Sequence, residues 1–204
     1  MSPAARRRRT STAKREAVEA DLVRAVNELL AEGASYTDLD IGRIAERAGI
    51  SRTAFYFYFA DKRELLMRMT EGVMGLLYEQ AEGWWSGSGS GPANLETTLR
   101  AAATLYRDNA AILCAIVEVS AYDDEVGAFW RGVIGRFEEA TSARLEHEWG
   151  AGAHSPSARA TAFSLSWMTE RVLYQSVVQD GEVDREELVD ALVAVWQSAV
   201  YGGR

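Results

Sequence analysis

The sequence predicts an all-α protein in which a small N-terminal helical head precedes a larger helical region. Apolar residues recur at helical spacing along most of the 204 residues, as expected for helices that bury one face. Neither strand-like alternation nor an Asn-Gly hairpin turn occurs in the sequence. The three prolines, and the abundance of Ala, Leu, Glu and Arg, favour long uninterrupted helices.

The first predicted helix covers residues 14–32. An apolar stripe recurs along it at Val18, Leu22, Val26 and Leu29. Gly33 follows the stripe and is expected to end the helix, because glycine adopts the left-handed backbone of a helix end without a steric penalty. The stripe is expected to pack against the next two helices.

Residues 40–64 predict two short helices joined by a tight turn. The first of these helices has an apolar face formed by Ile41, Ile44, Ala45 and Ala48. Gly49 follows the last helical position, Ile50 fills the angle between the helices, and Ser51 can cap the second helix. This is the helix-turn-helix pattern, in which the second helix enters the DNA major groove.

The second helix of the pair carries side chains that suit DNA. Arg52, Thr53 and Tyr56 lie within an arc of roughly 100° on a regular helix. An arginine can reach a guanine edge or a phosphate, and a threonine can reach a base. Lys62 lies in the first turn of the next helix and is expected to face a phosphate. The predicted DNA-binding residues are Arg43, Ser51, Arg52, Thr53, Tyr56, Phe57, Tyr58 and Lys62.

This stretch resembles the DNA-binding signature of the TetR family of transcriptional regulators. The family pattern is Ile-Ala, then Ala-Gly-Val/Ile-Ser, then Tyr, Phe, and Lys followed by Leu. Here it is present as Ile44-Ala45, Ala48-Gly49-Ile50-Ser51, Tyr56, Phe59, Lys62 and Leu65. The family often has His where this chain has Tyr58, so that contact can differ. The resemblance covers about the first third of the chain and implies a three-helix DNA-binding head.

Further helices are predicted over the rest of the chain. They cover residues 61–85, 94–108, 109–121, 124–149, 156–179 and 185–201, with a polar linker at 86–92. The last two are apolar over much of their surface, and the final helix has a stripe at Leu188, Leu192, Val195, Trp196 and Val200. The resemblance implies that these two helices pair with the same two helices of a second subunit in a C2 homodimer. The alternative is that both helices are internal core.

The net charge of −8 is unexpected for a DNA-binding protein until it is divided along the chain. Residues 1–68 contain 13 Lys and Arg against 10 Asp and Glu, whereas residues 69–204 contain 9 against 20. Positive charge is therefore gathered where the helix-turn-helix lies, as phosphate binding requires. The acidic remainder is expected to face away from DNA.

A basic N-terminal arm precedes the first helix, with Arg at residues 6–9 followed by Lys14 and Arg15. It is either a solvated tail or an arm that lies along phosphates or in the minor groove. No apolar segment follows it, so a signal peptide is not expected. No window approaches ~18 consecutive apolar residues, so no membrane span is expected. The single cysteine, Cys114, excludes an intrachain disulfide and favours the cytoplasm as the expected location.

The six tryptophans lie outside the predicted head. Taken singly, each is most simply explained by packing, but as a set they indicate an aromatic-lined cavity for an apolar ligand. The segments SRTAFYFYF (51–59), TERVLYQSVV (169–178) and VAVWQSAVYG (193–202) also resemble the mycobacterial ethionamide-monooxygenase repressor type of the TetR family, which has a long apolar tunnel. This implies ligand-binding positions at Leu95, Ala102, Tyr106, Trp130, Phe137, Ser166, Thr169, Tyr174 and Trp196. Leu95, Ala102 and Ala140 replace aromatic side chains of that type, so a wider pocket is expected.

Catalysis has little support in the sequence. His147 and His154 have no Cys or paired His nearby, so no metal site is expected. No nucleophile elbow, phosphate loop or dinucleotide fingerprint occurs, and no cofactor is expected. Glu170 and Arg171 interrupt an apolar helix and are candidates for a buried or interfacial ion pair.

These observations predict an arm at residues 1–15, a helix-turn-helix DNA-binding domain at 16–64, and a helical ligand-binding and dimerisation domain at 65–204. The expected function is a ligand-responsive, sequence-specific transcriptional regulator without enzymatic activity, with repression preferred over activation. The expected partners are a palindromic double-stranded DNA operator, a second copy of the chain and a small apolar ligand. The alternatives are a constitutive architectural DNA-binding protein and an enzyme built on a helical bundle.

Overall fold

The computed structural model describes residues 3–87, 91–150, 157–178 and 183–202, with side chains from residue 13 onward. All regular structure in these residues is helical, which confirms the predicted fold class. The chain divides into two compact units, and the division lies between Thr70 and Glu71. The boundary at residue 64 between DNA-binding and ligand-binding functions stays a prediction.

The first unit contains α1 (Pro3–Ala31), α2 (Ile41–Arg47), α3 (Arg52–Phe55) and the start of α4. α1 packs against α2, and α2 packs against α3. α1 begins well before residue 14, where the first helix was predicted to start, because the preceding Ala and Arg residues are strong helix formers. Much of the predicted arm therefore has a helical backbone.

A small core holds these helices together. Leu22, Val26 and Leu29 of α1 are fully buried, as are Ile44 and Ala45 of α2. The apolar stripe predicted for the first helix is thereby confirmed. The small side chain of Ala45 suits a position where helices cross closely, because a larger side chain would push the two backbones apart.

α4 covers Lys62–Trp85, so one continuous helix begins in the first unit and continues into the second. The remaining helices are α5 (Gly91–Asp108), α6 (Ala110–Ser120), α7 (Asp124–Trp149), α8 (Ala158–Val178) and α9 (Arg185–Tyr201). These bounds lie within three residues of the predicted ones at every end. The predicted turns at 150–156 and 180–181 lie outside the described residues, apart from Gly150.

Packing in the second unit brings α7 against both α6 and α8, and α5 against α9. Side-chain caps fix where two of these helices begin. Asp123 accepts hydrogen bonds from the backbone N–H groups at the start of α7, and Asp184 does the same for α9. Such caps satisfy N–H groups that have no partner within the helix, and each contributes about 1 kcal/mol.

The apolar stripe predicted on the last helix is used mainly within the chain. Leu192, Trp196 and Val200 of α9 are buried, whereas Val195 is 47% exposed. This agrees with the internal-core alternative for most of the stripe. The solvent-facing side of α9 keeps Val195 as its large apolar residue, and Phe163 of α8 is 55% exposed.

Candidate functional site

The turn between α2 and α3 has the geometry of a helix-turn-helix. Asp40 caps α2 by accepting a hydrogen bond from the Arg43 backbone N–H at 3.1 Å. Gly49 has a φ of 72°, a conformation that costs little only without a Cβ. Ser51 caps α3 by accepting from the Ala54 backbone N–H at 3.1 Å. Ile50 donates its backbone N–H to Ala45 at 2.9 Å, which closes the turn.

α3 is a single helical turn whose inner face is buried in the core of the head and whose outer face is exposed to solvent. Phe55 is fully buried, and its ring centroid lies 5.8 Å from that of Phe59. Arg52 and Thr53 are exposed at the start of the helix. Phe57, just after α3, is 77% exposed. The structure thus presents a polar helix start beside an exposed aromatic ring, a combination suited to the edges and methyl groups of bases.

Charge pairing separates the basic residues of the head into two groups. Arg24, Arg47 and Arg63 are paired with carboxylates at closest N···O distances between 2.6 and 2.8 Å. Arg43 and Arg52 are exposed and make no salt bridge with any described residue. The guanidinium groups of the second group are therefore not held by a carboxylate and remain available for phosphates or base edges, although the charge of Arg43 still acts on nearby Glu32.

Lys62 is engaged within the head. Its ammonium donates to the backbone carbonyls of Thr37 at 2.6 Å, Leu39 at 3.1 Å and Tyr36 at 3.3 Å. The Tyr36 hydroxyl in turn donates a short hydrogen bond to the Lys62 carbonyl. An ammonium has three N–H donors, so these contacts occupy all of them. The Lys62 ammonium therefore binds the segment before α2. Its expected contact with a DNA phosphate stays a prediction.

Tyr58 is half-buried, and its backbone carbonyl accepts a hydrogen bond from Arg15 of α1 at 3.3 Å. The same arginine pairs with Glu19 at 2.7 Å. Of the eight predicted DNA-binding residues, six are exposed on the head, and Tyr58 and Lys62 are half-buried. Arg15 was predicted only as part of the arm, and its contact here ties α1 to the turn after α3.

The second unit contains an apolar cavity with an empty volume of about 620 Å³, part of which is open to solvent. α4, α5, α7, α8 and α9 all contribute to its wall. Its aromatic side chains are Trp84, Trp85, Tyr106, Phe137 and Trp196. A mostly apolar wall with a few polar groups is typical of small-molecule sites.

Seven of the nine predicted ligand-binding residues line this cavity: Leu95, Ala102, Tyr106, Phe137, Ser166, Thr169 and Trp196. The structure places the other two elsewhere. Trp130 is buried in the core away from the cavity wall, and Tyr174 is half-buried beneath the Arg171 guanidinium, 5.1 Å from its ring centroid. Ala140, expected to widen the pocket, is not part of the wall either.

Several wall residues were missed by sequence reasoning. They are Met74, Leu77, Ala81, Thr98, Leu99, Ile134, Thr141, Glu170 and Leu173. Trp84 and Trp85 also line the cavity; both belong to the set of tryptophans that predicted it, although neither was named as a ligand-binding position. All five wall residues of α4 belong to a helix that the sequence showed only as a connecting helix.

Polar groups in the wall fall into satisfied and unsatisfied ones. The Thr169 hydroxyl donates to the Leu165 carbonyl and accepts from the Trp196 indole N–H, both at 2.8 Å. The hydroxyl of Tyr106, the indole N–H of Trp85 and both carboxyl oxygens of Glu170 are buried without a hydrogen-bond partner among the described residues. Burial raises the pKa of Glu170, with Arg171 opposing the change. Burial and the nearby charge of Glu170 raise the pKa of Tyr106.

Two other kinds of site are absent from the described residues. No group of three or more His, Cys, Asp or Glu side chains there could hold a metal ion. His154, one of the two histidines considered as candidates, lies outside the described ranges. No helix in the described part of the chain is long and apolar enough to span a bilayer.

An exposed helix-turn-helix head and a helical unit with an apolar interior cavity define a class of protein, the helix-turn-helix transcriptional regulators. Residues 22–69 match the family model of bacterial regulatory proteins of the tetR family, and residues 95–202 match that of the C-terminal domain of transcriptional regulator EthR. The second match spans more than half of the chain, so the chain belongs to the TetR family of bacterial regulatory proteins and, within it, to the EthR group. Both matched families are regulators and not enzymes.

Individual relatives agree with this assignment. The HTH-type transcriptional regulator EthR of Mycolicibacterium smegmatis is 27% identical over 204 residues, covering 97% of this chain and 92% of that protein. EthR of Mycobacterium tuberculosis is 27% identical over 187 residues, covering 87% and 85%. The fold is similar to that of FadR from Bacillus subtilis in complex with stearoyl-CoA, with a TM-score of 0.69, 16% identity and coverage of 90% and 98%.

Proposed function

We propose that this protein is a repressor that binds a palindromic operator as a homodimer and is released when an apolar small molecule fills the cavity of the second unit. The observation that carries the proposal is the cavity itself, whose wall is apolar apart from a few hydroxyl groups, indole N–H groups and one carboxyl. A wall of this composition has no apparent purpose in a protein that only binds DNA. FadR of Bacillus subtilis, which shares the fold, has been determined with stearoyl-CoA bound.

The exposed face of the head supports the operator part of the proposal. Arg52, Thr53, Arg43 and Tyr56 are all exposed there. We expect Arg52 and Thr53 to read bases, and Arg43 and Tyr56 to contact the DNA backbone. A dimer would place two such heads in successive major grooves, which lie about 34–36 Å apart. Symmetric heads require symmetric half-sites, so the operator is expected to be palindromic.

α4 supports a connection between ligand and DNA. Its first residue, Lys62, holds the segment before α2 through three carbonyls. Further along the same helix, Met74, Leu77 and Trp84 line the cavity. A ligand that prefers one position of α4 would shift the population toward that position, by no more than its difference in affinity for the two states.

The homodimer is proposed to form through the outer faces of α8 and α9. Phe163 and Val195 are exposed there, and they lie on the two helices that the resemblance assigns to the interface. A Val195→Glu or Phe163→Glu variant should sediment as a monomer. Leu192, by contrast, is buried within the chain. A charge at that position would destabilise the fold itself and would therefore not report on the dimer interface. Sedimentation of both exposed variants as intact dimers would move the interface to another surface.

The proposed release of DNA can be tested with the purified full-length protein. Operator sequences are first selected by sequencing the DNA that the protein retains. Binding to the selected operator is then measured with and without a panel of lipophilic compounds, while tryptophan fluorescence reports occupancy of the cavity. We expect at least one compound to change the fluorescence and to weaken operator binding together.

A cavity-filling variant provides the matched control. Ala102 lines the cavity and is 4% exposed, so Ala102→Leu should weaken ligand binding, whereas Ala140→Leu, outside the wall, should not. If a broad panel changes neither fluorescence nor operator affinity, ligand-responsive repression is wrong, and constitutive DNA binding takes its place.

A further inference from the structure

The Glu170 carboxyl is an unusual group to find in the cavity wall. The side chain lies on the inner face of α8 and is 2% exposed. Neither of its oxygens has a hydrogen-bond partner among the described residues. Leaving a buried polar group without a partner costs about 1–3 kcal/mol, and more for a charged one. Such a group therefore usually has a partner that enters from outside the chain, or a functional role.

Arg171 does not satisfy this carboxyl. Its Nε lies 3.7 Å from Glu170 Oε2, which is too long for a hydrogen bond. The Arg171 side chain is 55% exposed, and its guanidinium lies over the ring of Tyr174. The pair is therefore a long ion contact whose arginine faces solvent, where water screens its charge, and both carboxyl oxygens keep no hydrogen-bond partner among the described residues.

The rest of the wall suits a cation. Glu170 is the one residue with a formal charge among the described residues that line the cavity. The Tyr106 hydroxyl and the Trp85 indole N–H are the other buried groups of the wall without a partner there, and the hydroxyl lies close enough to interact electrostatically with Glu170. Five aromatic rings surround the same space, and the faces of such rings attract ammonium groups.

We propose that the cavity takes a mainly apolar ligand that carries a protonated amine, which donates to the Glu170 carboxylate and to the Tyr106 hydroxyl oxygen. This inference rests on the proposed function, since it names the chemical class of the ligand for the same cavity. The apolar part of the ligand would fill the space between Trp84, Phe137 and Trp196. The Thr169 hydroxyl, already bonded to Leu165 and Trp196, would take no main part in binding the amine.

Two simple ligands with the same alkyl chain distinguish the contribution of the amine to binding from that of the apolar chain. Octylamine and octanol share their chain, and near neutral pH only the first carries a positive charge. Binding of each to the full-length protein is measured by titration calorimetry in the absence of DNA. We expect octylamine to bind the wild-type protein at least about tenfold more tightly than octanol, because charge-assisted hydrogen bonds in a dry site are strong.

Two variants test whether Glu170 causes the preference for octylamine over octanol. Glu170→Gln keeps the shape of the side chain and removes its charge, so it should abolish the preference for octylamine while leaving octanol binding unchanged. Glu118→Gln removes an equal charge from an exposed position on α6 and should leave the preference intact. Thermal unfolding of each variant shows whether it is folded. The comparison of octylamine with octanol on the wild-type protein tests the proposal even if a variant does not fold.

The outcomes distinguish this inference from the proposed function. If octanol binds as tightly as octylamine, or if Glu170→Gln keeps the preference, the amine proposal is wrong while the cavity remains a ligand site. If neither compound binds and no lipophilic compound weakens operator binding, the proposed function itself fails, and the amine proposal fails with it. A preference for octylamine that disappears only in Glu170→Gln supports both.

Discussion

The two units differ in where they leave polar groups without a partner in the chain. In the head, Arg52 is free at the surface, whereas the half-buried Lys62 has a partner for each of its donors. In the second unit, the buried Tyr106 hydroxyl and Glu170 carboxyl have none among the described residues. Of the unpartnered buried side chains in the described part of the chain, only Thr70 belongs to the first unit.

This difference indicates two ways of preparing a binding site. The head uses exposed groups that water solvates until DNA replaces the water, so the free protein loses little stability. In the proposed ligand site, buried groups lower the stability of the empty protein until a ligand pairs with them, and this cost would make the site selective for ligands that can do so. Four experiments test this contrast between the head and the cavity.

Replacement of Lys62 should have the largest effect. Lys62→Met removes the donor for three carbonyls, and hydrogen bonds from charged groups contribute about 1.5–3 kcal/mol each. We expect unfolding free energy to fall by at least about 2 kcal/mol, and DNA affinity to fall equally for specific and random sequences. Chemical denaturation and competition binding measure the two quantities, with the exposed Lys14→Met as the control for stability. Unchanged stability with uniformly weaker DNA binding would instead make Lys62 a phosphate contact.

Replacement of Arg52 should change specificity while stability stays the same. An arginine that reads a guanine contributes about 1–3 kcal/mol of discrimination against the wrong base. Arg52→Ala, like Thr53→Ala, should therefore alter the ranking of operator sequences, whereas Tyr56→Phe should weaken all sequences alike. Competition between the selected operator and point-substituted operators measures the ranking. An equal loss on specific and random DNA would remove the base-reading role from Arg52.

The pH dependence of the unfolding free energy tests whether the buried, unpartnered Glu170 carboxyl destabilises the folded state when it is ionised. Its pKa is raised from the ordinary value of 4.5 by burial, with the Arg171 charge opposing and the Tyr106 hydroxyl neutral. Between pH 4.5 and the raised folded-state pKa, the folded state therefore binds more protons than the unfolded state. The contribution of Glu170 to the free energy of unfolding is therefore complete below pH 4.5 and is lost as the pH rises through the folded-state pKa. The loss is at most about 1.4 kcal/mol for each pH unit.

Glu170→Gln removes this titration, so the stability of the variant relative to the wild type should increase as pH rises from 4.5. Urea denaturation of both proteins across a pH series measures the difference, from which titrations common to both cancel. Parallel curves for the two proteins would mean that the Glu170 carboxyl is satisfied in solution, and the contrast between the units would weaken.

Deletion of residues 1–12 should have the smallest effect. It removes the four arginines at residues 6–9 and keeps the hydrogen bond from Arg15 to the Tyr58 carbonyl. If the arm touches DNA, the slope of log affinity against log salt becomes shallower, by about 0.9 for each phosphate that the shortened chain no longer neutralises. We expect this change without a change in stability. A slope equal to that of the full chain would identify the arm as a solvated tail.

Most of the fold could be predicted because local signals were strong. The helices of the second unit have long apolar repeats, and their starts are set by caps such as Asp123 and Asp184. The helix-turn-helix depends on short-range features, including the positive φ of Gly49. The start of α1 was missed because no apolar repeat extends into the arginine run, where helix propensity alone favours the helix.

The cavity was predicted less completely because its limits depend on packing. On α7 the wall includes Ile134, Phe137 and Thr141 but ends before Trp130, two turns away from Phe137. On α8, Tyr174 follows the wall residue Leu173 and is therefore rotated by about 100° from it. A resemblance identifies the helix face, whereas the turn at which a cavity ends depends on the neighbouring helices.

Glu170 illustrates the same limit. Its neighbour in sequence suggested an ion pair, and Arg171 Nε does lie at ion-pair distance, 3.7 Å from Glu170 Oε2. No hydrogen bond forms between them, because adjacent residues on a helix do not face each other. Arg171 accordingly points to solvent and Glu170 to the interior. Whether an inward carboxyl meets a donor is a property of the opposite wall, about which the sequence of α8 contains no information.

The separation between the inner and outer faces of α3 bears on how this regulator can evolve. Phe55 holds the helix in place from within, whereas Arg52 and Thr53 project outward and support no packing. Substitutions at such exposed positions usually change stability by less than about 0.5 kcal/mol. If Arg52 and Thr53 read bases as proposed, a lineage could acquire new target promoters through one or two codon changes while its core and its cavity are inherited intact.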